Sequence, residues 1–299
     1  MMPEGRDFAS AQAEAALAVD ELLQALLPEP AGHEADLFRA MRHGTLGGGK
    51  RLRPLLVLAS ADLFAVSPSR ALRVGAAVEM VHCYSLIHDD LPCMDDDDLR
   101  RGRPTVHKAF DEATAVLAGD ALLTLAFEVL AAPQTHGDAE VRLELVRGLA
   151  EAAGGRGMVG GQAIDLAAEH RPLDLGSVTR LQQLKTGALI AFACGAGAML
   201  GKIGGPLRQA LHAYAHDLGL AFQITDDLLD AEGSVAATGK RVGKDAAAGK
   251  ATFVSLLGIE PARVQARILA RQAARHLDPF GERAGLLREI ADFVIARGQ

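Results

Sequence analysis

The chain has 299 residues, a formal net charge of -7, 49% hydrophobic and 4% aromatic residues and no Trp. That length can bury a sizeable core, and its apolar content lies in Ala and Leu, which favours helix over sheet. The acidic balance argues against non-specific nucleic-acid binding, although a small anion remains acceptable wherever basic residues cluster. Cys83, Cys93 and Cys194 are odd in number and have no CxxC spacing, so no disulfide framework is expected and a reducing compartment fits. Residues 1–20 carry Glu4, Asp7, Glu14 and Asp20 without a long apolar run, unlike a signal peptide. The expectation is a soluble, cytoplasmic protein with no membrane and no nucleic-acid partner.

In chain order, apolar periodicity predicts an amphipathic helix over 7–27, stopped by Pro28 and Pro30. A second runs over about 31–43 and ends at the glycine-rich stretch 44–49. Pro54 suits a first helical turn and opens a helix to about 65. The apolar helix 70–89 ends in acids, and Pro92 cannot continue it, so 91–98 is predicted as loop. Further helices are expected at 109–131, 138–155, 158–169, 177–201, 206–231, 252–275 and 281–297. The apolar stretch 187–201 is too short and too rich in Gly and Ala to span a bilayer and reads as a buried helix. In 206–231, Leu207, Leu211, Tyr214 and Leu218 form a core stripe. No alternating strand pattern of useful length is present. One all-α domain over residues 1–299 is the simplest account.

Two acidic clusters interrupt this apolar background: Asp89-Asp90 with Asp95-Asp96-Asp97-Asp98, and Asp226-Asp227 with Asp230. Two carboxylates about 4 Å apart repel by roughly 4 kcal/mol at an effective dielectric near 20, so such clusters call for cations. Oxygen-only ligands suit Mg²⁺, which takes one or two carboxylates and completes its octahedron with waters and phosphate oxygens. Asp226 and Asp230 differ by about 40° around a helix and share a face. Asp89 and Asp95 do not align on a continuous helix, but a break at Pro92 brings Asp95 back beside Asp89. The expected arrangement is two aspartate walls facing each other across a Mg²⁺–diphosphate. An EF-hand fails because Leu99 and Arg101 would fall on ligand positions. His82, Cys83, His88 and Cys93 match no paired zinc spacing.

The cations are local. Gly44-Thr45-Leu46-Gly47-Gly48-Gly49-Lys50 begins like a nucleotide P-loop, but Arg51 replaces the Ser or Thr and no strand precedes it. What remains is glycine-rich backbone beside Lys50, Arg51 and Arg53, an arrangement suited to an oxygen-rich anion. Arg100 and Arg101 follow the first acids, and Lys240 and Lys250 follow the second on a Gly-rich loop that would close over a diphosphate. Lys185-Thr186-Gly187 interrupts an apolar helix, either as a snorkelling lysine or as a kinked turn aiming its amine and hydroxyl inward. Gln223 is either a satisfied core amide or a dipole offered to a developing cation. His212 and His216 read as exposed or core histidines.

The run from His88 to His107 resembles the first aspartate-rich motif of the trans-isoprenyl diphosphate synthases, more narrowly that of the bacterial farnesyl diphosphate synthase branch. Supporting segments are 48–54 (GGKRLRP), 160–166 (GGQAIDL), 185–187 (KTG) and 222–230 (FQITDDLLD), in family order across 44–258. The resemblance implies an all-α fold around a deep cavity, a homodimer, and three Mg²⁺ per active site, with Mn²⁺ as a substitute. It implies that Asp89, Asp95 and Asp226 ligate the ions and that Asp90, Asp227 and Asp230 support them. Arg100, Lys185 and Lys240 would hold the allylic diphosphate. Lys50, Arg53, His82 and Arg101 would hold isopentenyl diphosphate. Thr186 and Gln223 would lie beside the allylic cation. Ser85 and Tyr84, four and five residues before Asp89, would form the cavity floor, and a ring there implies a C15 product. The implied alternatives are a geranylgeranyl diphosphate synthase and a non-catalytic partner subunit of another prenyl synthase. Terpene cyclases share an Asp-rich first motif, but their second site mixes Asn, Ser and Glu.

Overall fold

The computed structural model describes residues 7–168, 173–232 and 251–297. Among these, α-helix dominates and strand is confined to a four-residue ribbon, so the expected all-α class holds. The helices group into two compact units. One comprises Met1–Leu58 and Val66–Val146, the other Ala59–Ala65 and Arg147–Gln299.

In the first unit, helix α1 (Phe8–Leu26) starts at Asp7, whose carboxylate accepts the Ser10 amide at 2.8 Å. Ala11, Ala15, Val19 and Leu23 bury its inner stripe at steps of four. Helix α2 (Ala35–Thr45) follows, then α3 (Leu52–Asp62), whose residues from Ala59 on belong to the other unit, and α4 (Pro68–Asp89) is the central element. It opens with Pro68 at a position that needs no amide donor and buries side chains all round from Val74 to Ile87. It packs on α6 (Glu112–Ala131), which Asp111 caps by accepting the Thr114 amide at 2.8 Å. Between them lie a short helix, α5 (Val106–Ala109), and an antiparallel ribbon of β1 (Leu99–Arg100) and β2 (Arg103–Pro104). Arg101 and Gly102 join the strands with φ of +54° and +75°, the left-handed pair that a two-residue hairpin turn requires. Two residues per strand are too few to show alternation, which is why sequence reading expects no strand there.

In the second unit, α7 (Ala139–Ala153) continues from Arg147 and is followed by α8 (Met158–Ala168). The predicted helix 177–201 is three pieces: α9 (Leu175–Gln182), a π turn (Gln183–Gly187) and α10 (Ala188–Leu200). The axis is α11 (Gly205–Glu232); of the expected stripe, Leu211, Tyr214 and Leu218 are buried and Leu207 is half-buried. It packs against α10, α13 (Ile259–His276) and α14 (Gly285–Ala296). The Tyr214 hydroxyl donates to the Leu287 carbonyl at 2.8 Å, tying α11 to α14. The predicted helix 252–275 is interrupted: Gly258, at φ +85°, separates α12 (Phe253–Leu257) from α13.

Glu112–Ala131 and Leu175–Leu200 are long and apolar enough to cross a membrane by length and composition alone. The second is interrupted by the π turn, and α10 buries Leu189, Ile190, Phe192, Cys194 and Met199, as expected of a core helix. Its tightest approach is Gly197, where a Cβ would fall inside the Ser60–Ala61 peptide of α3. The Gly197 amide donates to Ser60 Oγ at 3.3 Å across this contact. Backbone cannot yield as a side chain would, so overpacking outweighs the roughly 1 kcal/mol of helix propensity that alanine adds. Gly197→Ala should lower stability by about 1–3 kcal/mol in urea unfolding with an unchanged m-value. An unshifted midpoint would show that the two helices separate without cost.

Candidate active site

Helix α4 delivers the first acids, and the break at Pro92 does what its position predicts. The Asp95 amide donates to the Asp89 carbonyl at 2.8 Å and the Asp97 amide to the Asp90 carbonyl at 3.2 Å, so the loop folds back on the helix end. Asp90 is buried, with Arg100 Nε donating to its Oδ1 at 3.0 Å and Arg100 Nη2 to the same atom. Arg100 Nη2 also reaches Asp97 Oδ2 at 3.3 Å. Burial raises the Asp90 carboxyl above its ordinary value, while Arg100 pulls it back. Thr105 anchors the loop's exit by donating to the Asp97 carbonyl at 2.8 Å.

The basic turn and the ribbon meet in one crevice, lined by His43, Gly47, Asp90, Arg100, Arg101 and Arg103. Arg101 Nη1 donates to the Gly48 carbonyl, and a Cβ on Gly49 would lie 2.7 Å from Arg101 Cζ. The φ of +77° at Gly48 and +133° at Gly49 is open to glycine without strain. The Lys50 carbonyl accepts from Gln12 Nε2 at 3.2 Å, and Arg53 stands in the first turn of α3. Arg51, which sequence reading groups with these cations, is instead a core residue. It donates to Asp20 at 2.8 Å, Glu79 at 2.7 Å and the Thr45 carbonyl at 2.7 Å. Its charge is spent on fixing the glycine turn against α1 and α4.

In the second unit, α11 divides its acids by burial. Asp227 is buried and accepts from Gln223 Nε2 at 3.1 Å and from the Phe253 amide at 2.8 Å. Asp226, one residue earlier, is more open and accepts from Arg297 Nη2 at 3.0 Å. The Arg297 guanidinium also stacks on the Phe222 ring at 4.8 Å. Asp230 follows Asp226 by one turn on the same helix. The π turn settles the two readings of Lys185-Thr186: the segment is a bulge, and both side chains are engaged. Lys185 Nζ meets Asp165 Oδ2 at 2.7 Å, and Thr186 Oγ1 donates to Gln223 Oε1 at 3.1 Å. Thr186, Gln223, Asp227 and the Phe253 amide thus form one hydrogen-bonded chain. Gly161 permits it, since a Cβ there would lie 2.5 Å from Lys185 Cα.

His82 and Ser85 sit on α4, the Ser85 hydroxyl donating to the His82 carbonyl at 2.9 Å. Tyr84 is buried, its ring edge-on to His88 at 5.7 Å. Lys240 and Lys250 lie outside the described residues. The residues that sequence reading gave no role are Asp165, Arg297, His43 and Arg103. Asp165 was within reach, standing in the quoted segment 160–166. The others meet their partners 60 or more residues away, with no local signal. The donor set fits Mg²⁺: hard carboxylate oxygens, with Asp90 paired to Arg100 and Asp226 to Arg297. Among the described residues no three His, Cys, Asp or Glu side chains form a closed cage. An ion that keeps waters and takes substrate oxygens needs none.

Burial, then the Asp89 charge, pushes the Tyr84 phenol up to about 12, and burial raises Tyr214 well above 10.0. These are the chain's two tyrosines. Above pH 10 the unfolded chain releases phenolic protons that the folded chain keeps, so the unfolded state binds fewer protons and stability falls as pH rises toward 12. In an alkaline titration, phenolate absorbance should therefore appear together with loss of helical circular dichroism. Phenolate forming near pH 10 with helicity intact would contradict the buried placement.

A family model described as "Polyprenyl synthetase" matches residues 34–279. The farnesyl diphosphate synthase of Bacillus subtilis (strain 168) is 46% identical over 262 residues, covering 87% of this chain and 88% of that protein. The farnesyl diphosphate synthase of Escherichia coli (strain K12) is 47% identical over 268 residues, covering 88% and 90%. Among solved structures, the apo FPP/GFPP synthase of Zymomonas mobilis superposes with a TM-score of 0.90 at 55% identity, over 96% of this chain and 98% of that one. With the match running through both units and both acidic segments, the chain belongs to the polyprenyl synthetase family.

Proposed function

We propose that the protein is a (2E,6E)-farnesyl diphosphate synthase, condensing isopentenyl diphosphate with dimethylallyl and geranyl diphosphates. Residues 1–299 work as one prenyl synthase domain, a reading supported by the family match over 34–279. The observation that carries the assignment is the paired design of the acids. In each acidic segment one aspartate is buried and tied down by donors, beside others placed for hard cations.

The allylic C–O bond breaks, the isopentenyl double bond forms the new C–C bond at C1, and a proton leaves to the released diphosphate. Bound magnesium, three ions on the family pattern with manganese as a substitute, supplies neutralisation of the charge that the departing diphosphate gains. In this reading Asp89, Asp95 and Asp226 are ligands, and Asp90, Asp227 and Asp230 orient them. Lys185 and Arg100 hold the allylic diphosphate together with Lys240 and Lys250. Lys50, Arg53, His82 and Arg101 hold isopentenyl diphosphate. Thr186 and Gln223, fixed to each other, present oxygen dipoles to the allylic cation. No side-chain general base is required, because the leaving group accepts the proton.

Tyr84 and Ser85 form the floor. Five helical residues rise about 7.5 Å, so the Tyr84 ring sits a little over one turn below Asp89. The protein works as a cytoplasmic homodimer. Helix α6 supports this, since it is highly apolar yet leaves Val116 and Leu117 exposed.

The test incubates purified protein with dimethylallyl and labelled isopentenyl diphosphates, with and without Mg²⁺, and sizes the dephosphorylated products. A C15 alcohol that depends on the metal is expected, and predominantly C20 or longer products would defeat the farnesyl assignment. Tyr84→Ala should lengthen the products; an unchanged distribution places the floor elsewhere. Asp226→Ala should lower turnover by about 10³-fold or more while helicity stays intact, consistent with loss of a charge-stabilising group. Near-normal rates would remove it from the ligand set.

A further inference from the structure

The crevice of the first unit holds a third guanidinium that the family assignment leaves without a role. Arg100 and Arg103 are direct partners across the two-stranded ribbon. Like charges facing each other there destabilise the pair unless something neutralises them. Asp90 and Asp97 neutralise Arg100. Arg103 meets an imidazole: its Nη2 lies 3.1 Å from His43 Nδ1.

The chemistry of that contact is fixed by its neighbours. His43 Nε2 lies 2.8 Å from the Pro104 carbonyl, which only accepts, so Nε2 carries the proton. Nδ1 is then a lone pair, and it accepts from Arg103, which only donates. The His43 ring is held edge-on against Phe110 at 5.8 Å. A neutral acceptor thus immobilises the guanidinium without cancelling its charge. Arg103 Nη1 lies 3.2 Å from where a Cβ of Gly47 would stand, over the glycine turn that Arg101 also grips. With one fork arm on His43, the remaining N–H groups are available to phosphate oxygens, and the side-chain entropy of ordering them is already spent.

We propose that Arg103, aimed by His43, is a further binding residue for the diphosphate of the homoallylic substrate, with His43 as its positioning residue. This rests on reading the crevice around Arg101 as the isopentenyl diphosphate site.

Steady-state kinetics with each substrate varied separately tests it. Arg103→Gln should raise KM for isopentenyl diphosphate about tenfold, the worth of one charge-assisted contact, with kcat within about twofold and KM for geranyl diphosphate unchanged. Arg103→Lys should recover most of that loss. His43→Phe, which keeps the ring against Phe110 but removes the acceptor, should raise the same KM about threefold. If Arg103→Gln leaves KM for isopentenyl diphosphate unchanged, or raises that of geranyl diphosphate instead, the proposal is overturned. It is overturned equally if Arg103→Gln lowers only thermal stability. Arg101→Gln separates the two levels. If it leaves KM for isopentenyl diphosphate unaffected, the crevice assignment fails; if it raises that KM while Arg103→Gln does not, only the role of Arg103 fails.

Discussion

Gathering carboxylates at the end of a buried helix is the constraint around which both units are organised. Repulsion among them has to be met by fixed donors, or the helix end would fray toward water. Each unit meets it in the same way. The more buried acid, Asp90 or Asp227, is tied to protein donors: Arg100 in one case, Gln223 and the Phe253 amide in the other. Its neighbour, Asp89 or Asp226, precedes it by one residue and so points about 100° away around the helix. Adjacent aspartates of identical chemistry thereby differ in burial and in partners through their angular position.

The cations show the same economy. Arg51 and Arg53 stand two residues apart in a segment that reads as uniformly basic. Arg51 turns into the core onto Glu79 and Asp20, whereas Arg53 opens a helix. A buried ion pair of this kind is weak support for stability in itself, but it specifies where the glycine turn lies. The turn's neutral backbone is then free to approach the ribbon, and Arg101 spans the gap.

Much of this was legible from local rules. The prolines that stop or start helices and the break at Pro92 act within one turn of themselves, so sequence suffices to place them. The return of Asp95 to Asp89 follows from the break and was anticipated on that ground. The ribbon at 99–104 was not, because two residues per strand carry no period. The fate of Arg51 was not, since nothing adjacent distinguishes it from Lys50 or Arg53. The contacts of His43 with Arg103, and of Asp226 with Arg297, join residues 60 and 71 positions apart, beyond any motif's reach. The polar interruption at Lys185-Thr186 was visible as an anomaly, but choosing between its two readings required the partners Asp165 and Gln223.

The bulge at Gln183–Gly187 carries a consequence for how this chain tolerates length change. A π turn holds one residue more than the regular spiral on either side of it would use. Deleting any single residue between Leu175 and Leu200 would let the spiral close into ordinary α geometry. The residues between the deletion and the former bulge would then shift register by one position, about 100° around the axis, while the segments beyond keep theirs. The Thr186 hydroxyl and the Lys185 amine would swing away from helices that have not moved. Substitutions in this stretch are local events, whereas a one-codon loss would uncouple α8 from α11 while leaving an apparently better helix.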